Sequence, residues 1–391
     1  MEGIYIRNLT IDKVRHLKNI KIPLTGADGE PTHLLLTGRN GSGKTSVLDA
    51  LAAYVNFIAT QGHLVEYTDA CIQTSCAIND REAPAALHVE YTQPTKSIHD
   101  AFLEGNFVIA YYRDSRKFDS ARPKQIEKVE LKDAYDLNEE PRRDFLKYLL
   151  DMKMTQALAV TNGKPGKAQQ IQNWFDNLEK LLGRIYECDE LTLEFDEDTY
   201  NFRICMPGRE VFDFNTMSSG YAAVIDIVVD LILRMEKQSQ RKFSFGIPGI
   251  VLIDEIETHL HLSLQKQILG LLTTVFPNIQ FVISTHSPFV LNSLDNVTIY
   301  DLENRTLVRN GLTDVPYDGI VESYFNVDGL SAELRNCLER YEELTATPSP
   351  SSEQKLEIFK LEQKLDEIPD YLAIDVAAEY SRIKLEYRSR K

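Results

Sequence analysis

Hydrophobic and polar positions alternate near the start of the chain and give way to continuous apolar runs further on. The alternation in residues 3–9 and 10–24 is typical of strands with one buried face. We expect one strand from the first range and two from the second, with a turn near Leu17 to Asn19. The apolar run at residues 33–37 predicts a buried strand directly after this antiparallel region.

The same criteria predict an alternation of strands and helices along the rest of the chain. Residues 124–184 are charged and helix-rich, with a break at 162–166 where glycine and proline occur. Residues 331–391 predict charged helices interrupted by a linker at 345–352. Together these elements favour an α/β protein. Further strands are predicted at residues 86–92, 107–112, 191–195, 201–205, 249–255, 278–284 and 297–302.

Composition narrows the class of protein. The chain has 391 residues, 43% hydrophobic and 26% charged, which suits one large domain with insertions or two to three domains. No apolar run approaches the roughly 18 residues of a membrane span, and the first residues lack the layout of a signal peptide. Five scattered cysteines favour a reducing cytoplasm. Cys71 and Cys76 lie close in sequence, but no second pair follows, so we expect reduced thiols and no zinc site.

The net charge of -16 argues against a surface that coats DNA over the whole molecule. It leaves room for a local basic patch, and it suits a basic protein partner.

A glycine-rich stretch, Gly38 to Thr45, matches the pattern G-x-x-x-x-G-K-[ST] and lies between a predicted strand and helical spacing at residues 46–53. Glycines let the backbone curl around an anion, and the N–H groups of the loop and helix start point at phosphates. Lys44 should reach the β- and γ-phosphates of ATP, and the Thr45 hydroxyl should bind Mg²⁺. A simple glycine-rich turn would explain neither of these side chains. The predicted nucleotide-binding residues of this glycine loop are Gly38, Asn40, Gly41, Ser42, Gly43, Lys44, Thr45 and Ser46.

Two acids follow the apolar strand at residues 249–253. Ligands bind at the carboxyl ends of such strands in parallel sheets. We expect Asp254 to help hold Mg²⁺ and Glu255 to act as general base toward the attacking water. A solvated acidic turn is the alternative, and the glycine loop makes it weaker.

A serine-rich segment at residues 215–221, the signature segment, precedes a predicted amphipathic helix over 222–236. Ser218, Ser219 and Gly220 at a helix start indicate either a second anion site or an ordinary serine cap, and local sequence leaves both open.

His286 ends the next predicted strand, where an imidazole can contact the γ-phosphate and respond to its hydrolysis. A lone histidine is more often structural, but this position favours the functional interpretation. His259 and His261 are two residues apart and would not share a helix face, so they predict solvent or interface positions and no metal pair.

These motifs, in this order, resemble the nucleotide-binding head of ABC-type ATPases. More narrowly, the chain is similar to the branch that contains structural-maintenance-of-chromosomes (SMC) and RecF heads and the ATPase domains of overcoming-lysogenization-defect nucleases. Residues 254–261 are similar to the DE-x-E-x-x-LH run of that branch, and residues 284–288 match its histidine loop. RecA-like ATPases lack the signature segment and fit worse. The four motifs span residues 38–288.

The resemblance implies an α/β P-loop ATPase head with an antiparallel N-terminal β-subdomain, an inserted helical subdomain and a C-terminal helical tail. The divisions it suggests are 1–123 for the first lobe, 124–190 for the insertion, 191–330 for the second lobe and 331–391 for the tail.

The resemblance also implies that two heads enclose two ATP molecules, with the signature serines of one subunit facing the phosphates held by Lys44 of the other. Arg15 occupies the place of an arginine that approaches the phosphates in related heads. A glutamine that contacts Mg²⁺ is expected between the first helix and the insertion, and Gln93 is one candidate. Tyr221 and His261 depart from the residues usual in transporters, which weakens a transporter interpretation.

Three functions remain open on the sequence. The first is a cytoplasmic ATPase of a bacterial anti-phage system, of the Septu-like, PARIS-like or retron-associated kind. It would form a homodimer or higher homo-oligomer and control a separate effector, such as a nuclease, bound to residues 331–391. The second is a RecF-like DNA repair or recombination ATPase, for which DNA is a possible partner. The third is a scaffold that binds ATP with little turnover. None of the three involves a membrane.

Overall fold

The computed structural model describes residues 3–26, 29–61, 72–74, 85–116, 118–315, 319–320, 332–347, 350–366, 380, 382–385 and 387. The chain divides into two compact units, Met1–Tyr317 and Asp318–Lys391. Cys71 and Cys76, considered above for a zinc site, lie outside the described residues.

The strands of the described residues are numbered in chain order. They are β1 (Ile6–Val14), β2 (Leu17–Pro23), β3 (His33–Thr37), β4 (Ile72–Thr74), β5 (Ala85–Tyr91), β6 (Val108–Tyr112), β7 (Thr192–Asp196), β8 (Asn201–Cys205), β9 (Phe212–Asp213), β10 (Gly249–Ile253), β11 (Ile279–Ser284), β12 (Val297–Asp301) and β13 (Thr306–Arg309).

The described α-helices follow the same convention. They are α1 (Lys44–Gln61), α2 (Thr95–Leu103), α3 (Phe145–Thr161), α4 (Pro165–Tyr186), α5 (Ser219–Ser239), α6 (Leu262–Val275), α7 (Pro288–Leu291), α8 (Ala332–Ala346) and α9 (Ser352–Asp366).

The amino-terminal strands form an antiparallel sheet in the order β2-β1-β5-β4. The predicted turn near Leu17 is wrong, because one strand runs from Ile6 to Val14 and the chain turns at Arg15, which has a φ of 51°. The pairing of β1 with β5 shifts between Ile11 and Lys13. Such a bulge disturbs the alternation of buried and exposed side chains without ending the strand. The two observed strands, β1 and β2, therefore had the hydrophobic pattern that we expect of three.

A six-stranded sheet forms the centre of the first unit, in the order β13-β12-β3-β11-β10-β6. Every neighbouring pair is parallel except β12 with β13. The strands β10 and β11 are buried along their whole length, as expected of parallel strands covered on both faces. Because β11 lies between β3 and β10, the carboxyl ends of these three strands meet at one edge of the sheet.

The region between the two motif-bearing parts contains α3 and α4, separated near Gly163, which has a φ of 66°. The expectation of helix from residue 124 is wrong for residues 124–140, which form no α-helix. Backbone carbonyls of this stretch instead accept hydrogen bonds from the buried Arg234. A three-stranded sheet, β7-β8-β9, then leads to α5.

The second unit has its own apolar core among its described residues. Helices α8 and α9 are separated near the predicted linker, of which residues 348–349 are not described. No helix in the described parts of either unit is long and apolar enough to cross a membrane. The core residues are Leu338, Tyr341, Leu344, Ile358, Leu365, Tyr380, Ile383 and Tyr387.

Candidate nucleotide-binding site

The glycine loop joins β3 to α1 and wraps around its own lysine. Gly38, Gly41 and Gly43 have φ values of 130°, 83° and 102°, which only glycine adopts without strain. Lys44 is the first residue of α1 and is 5% exposed. Its Nζ donates hydrogen bonds to the carbonyl oxygens of Gly38 at 2.9 Å and Arg39 at 3.3 Å. The loop therefore surrounds a buried cation, as an anion cradle requires.

Acidic side chains approach the lysine from the neighbouring strand ends. Burial lowers the pKa of Lys44, and the charges of Glu255, Asp254, Glu257 and Asp301 act in the opposite direction. These four acids follow or end β10 and β12, so sheet topology alone brings them to the glycine loop. The site thus combines one buried cation with an excess of carboxylates, which suits a phosphate ligand that arrives together with a divalent cation.

The acid pair, Asp254 and Glu255, is held by a serine of the adjacent strand. The Ser284 hydroxyl donates to Asp254 Oδ1 at 2.5 Å and accepts from the Glu255 backbone N–H at 2.8 Å. Asp254 is 3% exposed, whereas Glu255 is half-buried and has a φ of 43°. The left-handed conformation at Glu255 turns the chain sharply as it leaves the sheet.

His286 follows β11 and lies beside the same acids. Its backbone N–H donates to Glu257 Oε1 at 2.5 Å. Burial and the charge of Lys44 lower the pKa of the imidazole, against the carboxylates of Glu257 and Glu255. Its Nε2 is buried and has no hydrogen-bond partner among the described residues. The lowered pKa favours the neutral imidazole, and Nε2 has no partner among the described residues and can bond a ligand.

The hydroxyl groups around the loop fit Mg²⁺ and phosphate. Thr45 is exposed at the start of α1, whereas Ser46 is buried. The Oγ atoms of Ser42 and Thr37 are buried without a partner in the described chain. Mg²⁺ usually takes one or two protein ligands and keeps water and substrate phosphate oxygens, so Thr45 and Asp254 are a sufficient pair. No described group of three or more histidine, cysteine or acidic residues could hold a metal by itself, and His259 and His261 are both exposed.

The signature segment presents its serines to solvent. Ser218 is the residue before α5, makes no side-chain capping bond, and is exposed together with Ser219. A Cβ on Gly220 would lie 2.8 Å from the His259 carbonyl oxygen, so glycine permits the start of α5 to pack on the segment that follows the acid pair. No hydrogen bond among the described residues joins these serines to the glycine loop. The first turn of α5 is therefore open to an anion from outside this chain.

Arg15 lies at the tip of the β1–β2 hairpin and is exposed. The next two residues touch the glycine loop, because a Cβ on Gly43 would lie 2.9 Å from Leu17 Cδ1 and 3.4 Å from His16 Cε1. The hairpin therefore brings Arg15 to the neighbourhood of the glycine loop.

Gln93 follows β5, a strand of the antiparallel sheet, and not a strand of the six-stranded sheet. The core strand that precedes the helical region is β6, and it is followed by Arg113, Asp114 and Ser115, with no glutamine. Arg113 forms an ion pair of 2.9 Å with Asp49 of α1.

Three residues of the site were assigned no role from the sequence. They are Ser284, which binds both acids of the pair, Glu257, which accepts from the His286 N–H, and Arg116, which binds the backbone after β10. Glu257 belongs to the motif run at residues 254–261, and Arg116 to a basic stretch after β6, but neither pattern specifies the contact. Each contact joins residues brought together by strand order.

Comparison with known proteins gives one family model, described as "AAA domain, putative AbiEii toxin, Type IV TA system", which matches residues 88–292. The Septu protein PtuA of Bacillus mycoides is 25% identical over 388 residues, covering 92% of this chain and 50% of that protein. A retron Ec83 probable ATPase of Escherichia coli is 27% identical over 232 residues, covering 52% and 42%. A retron Vc95 probable ATPase of Vibrio cholerae is 41% identical over 93 residues, covering 24% and 18%.

The chain spans about half the length of the first of these relatives, and less of the others. Among solved structures, an SMC head bound to the C-terminal winged-helix domain of ScpA is 14% identical, with a TM-score of 0.42, and covers 80% of this chain and 100% of that one. The resemblance to Septu and retron-associated ATPases is confirmed by the sequence matches. The glycine loop, the acid pair and the buried lysine lie at one sheet edge, and the family model covers more than half of the chain. The chain therefore belongs to the AAA domain family described as putative AbiEii toxin, Type IV TA system.

Proposed function

We propose that the chain is a cytoplasmic ATPase subunit of a bacterial anti-phage defence complex, which binds ATP between two copies of itself. One observation carries the proposal. Lys44, Asp254, Glu255 and His286 come from three adjacent parallel strands and meet at one edge of the sheet. This is the edge at which such sheets bind ligands.

Binding requires Lys44 to exchange partners. Its ammonium now donates to two loop carbonyls, and phosphate oxygens at the loop would replace them with charge-assisted bonds. Backbone N–H groups of the loop and of α1 supply further donors. Mg²⁺, held by Thr45, Asp254 and phosphate oxygens, would neutralise part of the phosphate charge.

Hydrolysis requires a base and a donor on the phosphate side of the loop. Glu255 is half-buried, and its carboxylate accepts one long hydrogen bond, from the Thr258 hydroxyl to Oε2 at 3.4 Å. The other lone pairs of the carboxylate can accept a proton from water. The neutral imidazole of His286 can hydrogen-bond a phosphate oxygen through Nε2. Association of two copies is supported by the exposed serines of the signature segment, which would bind the phosphates held by Lys44 of the other copy.

Replacing Glu255 tests hydrolysis and association together. Glu255→Gln should lower turnover by roughly 10²–10⁴-fold, the usual contribution of a general base, and should leave ATP binding intact. ATP should then hold the variant as a dimer, measurable by light scattering after gel filtration. A parent protein with no turnover in the presence of its partner would favour the scaffold interpretation instead.

The defence role is supported by the relatives named as a Septu protein and retron ATPases. We place a separate effector, such as a nuclease, on residues 331–391. Leu356 and Phe359 of α9 are 57% and 56% exposed and lie three residues apart on one helix face. Co-purification with the product of the neighbouring gene should be lost in Leu356→Asp with Phe359→Asp. Leu103→Asp, at a residue that is also 57% exposed but in the first unit, should retain the partner. Retention by the double variant would refute this docking site.

A second candidate function, ATP-dependent DNA binding, is favoured by the basic outer face of the β1–β2 hairpin. Lys13 and Lys18 lie directly opposite each other, and like charges in such a pair repel. Within the part of the chain that the structure describes, neither forms an ion pair. Lys21 and Arg15 extend the same face in a chain of net charge -16. Duplex binding that weakens steeply with salt, and that Lys18→Glu with Lys21→Glu abolishes, would support this function. Binding that is absent at low salt would exclude it.

A further inference from the structure

A buried arginine contacts the backbone of the acid pair. Arg116 lies four residues after β6 and is 6% exposed. Its Nη1 donates to the Asp254 carbonyl at 2.8 Å, and its Nη2 donates to the carbonyls of Glu255 and Ile256, each at 2.8 Å. Nη1 also reaches the Arg113 carbonyl at 3.2 Å. One guanidinium therefore binds three consecutive carbonyls after β10 and its own loop.

The segment that Arg116 binds is the one that orients the general base. Glu255 has a φ of 43°, and an L-residue in this conformation is less stable by about 1–2 kcal/mol than in a right-handed one. Among the described hydrogen bonds, the carbonyls of Asp254 and Ile256 accept only from Arg116. Ser284 binds the other side of the same turn, through the Glu255 N–H. The turn is consequently held from both sides. Two of its three carbonyls are bonded by Arg116 alone, and the Glu255 carbonyl also accepts from the Thr258 N–H at 2.9 Å.

Arg116 and Arg234 are the two buried arginines among the described residues, and Arg116 forms no ion pair with any of those residues. Arg234, which is also buried and binds backbone carbonyls, pairs with Asp230 at 2.7 Å. Burial lowers the pKa of Arg116, and the charges of Glu257, Asp226, Asp254 and Asp114 oppose that effect. A buried charge without an ion pair is unfavourable. Here the carbonyl oxygens that Arg116 binds, together with the charges of these nearby acids, compensate it.

We propose that Arg116 is a positioning residue for ATP hydrolysis, which fixes the backbone of residues 254–256 and so the direction in which Glu255 presents its carboxylate. The inference rests on the proposed ATPase function. Lysine cannot replace arginine here, because a single ammonium cannot reach three carbonyls in the geometry of a planar fork. No described hydrogen bond joins Arg116 to the glycine loop, which supplies the phosphate contacts, so nucleotide binding in the absence of Mg²⁺ should not depend on Arg116.

The test compares Arg116→Lys with Arg234→Lys in the full chain. Arg116→Lys should lower kcat by roughly 10–100-fold, the loss expected from a misplacement of about 1 Å. The Kd for a fluorescent ATP analogue, measured without Mg²⁺, should stay within about twofold of the parent value. Arg234→Lys removes a comparable set of carbonyl contacts away from the acids. It should lower thermal stability to a similar extent and leave kcat within about threefold of the parent. Folded fractions are compared by circular dichroism at the assay temperature.

A second measurement separates positioning from general structural damage. In a Glu255→Gln background, Arg116→Lys should cause no further loss of the residual turnover, because both changes act through the same carboxylate. If Arg116→Lys is not folded, Arg116→Gln, which keeps one amide donor, takes its place in both comparisons. A raised KM with unchanged kcat, an equal kcat loss in Arg234→Lys, or additivity with Glu255→Gln would overturn the inference. Absence of turnover in the parent would instead refute the proposed function.

Discussion

Ser284→Ala removes the hydroxyl that links the two acids, and its effect can be worked out from two hydrogen bonds. The hydroxyl is fully buried, donates to Asp254 Oδ1 and accepts from the Glu255 N–H. A bond to a charged group contributes about 1.5–3 kcal/mol and a neutral one about 0.5–1.5 kcal/mol. We therefore expect the free energy of unfolding of the first unit to fall by about 2–4.5 kcal/mol.

Ser284→Ala should lower kcat more than the same substitution at another buried serine whose hydroxyl also makes two hydrogen bonds. Ser120 is also buried, donates to the Arg143 carbonyl and accepts from the Leu146 N–H. Ser120→Ala should destabilise the first unit by about 1–3 kcal/mol and leave kcat nearly unchanged, whereas Ser284→Ala should lower kcat at least tenfold.

The assay follows urea unfolding by the fluorescence of Trp174, the single tryptophan of the chain, which lies in the core of the first unit. Steady-state ATP hydrolysis is then measured where both variants remain folded. Equal kcat values for the two variants would refute the reasoning, because they would show that the link between Asp254 and Glu255 has no role beyond stability.

Three further predictions concern nucleotide binding and pH. Lys44→Ala should abolish detectable binding of a fluorescent ATP analogue while the chain stays folded, since the hydrogen bonds of Lys44 to the described residues go only to carbonyls of its own loop. Binding near the parent value would contradict the assigned site. Because the pKa of His286 lies below its ordinary 6.5, its imidazole is neutral at pH 7. A fall in kcat due to its protonation should therefore begin only below pH 6.5 in a pH–rate profile, and this fall should be absent in His286→Asn. Burial raises the pKa of Asp226 to about 7 despite Arg142, so the folded state binds this proton more tightly than the unfolded state does. The stability from this group is present in acid and is lost as the pH rises toward 7. Asp226→Asn should therefore gain stability relative to the parent between about pH 4 and 7, measured by urea unfolding at several pH values. A difference in unfolding free energy between variant and parent that does not change with pH would disprove this prediction.

Several elements were predictable because their signals are local. The strand at residues 33–37, the glycine loop and the helix that follows depend on neighbouring residues and on backbone conformations that glycine permits. The strand at residues 249–253 is marked by a continuous apolar run. The β1–β2 turn was misplaced because a bulge interrupts the alternation on which the prediction relied. Residues 124–140 were expected to be helical because their charged composition is typical of an exposed helix. The sequence does not reveal that Arg234 binds the backbone carbonyls of this stretch, which therefore needs no helical hydrogen bonds there.

The amino-acid sequence alone is enough to identify the glycine loop, the strand that ends in two acids and the histidine loop, because each is a run of consecutive residues. The order of the strands in the sheet, with β11 between β3 and β10, comes from the folded chain and cannot be read from these runs. That order places Ser284 against Asp254, thirty positions away, and it brings the charges near Lys44 together. Arg116, separated by 138 positions from Asp254, reaches the acid pair because β6 and β10 are parallel neighbours. Hydrogen bonds and close charge interactions depend on separations of a few ångströms in space, whatever the distance along the chain, so only folding can bring these residues into contact.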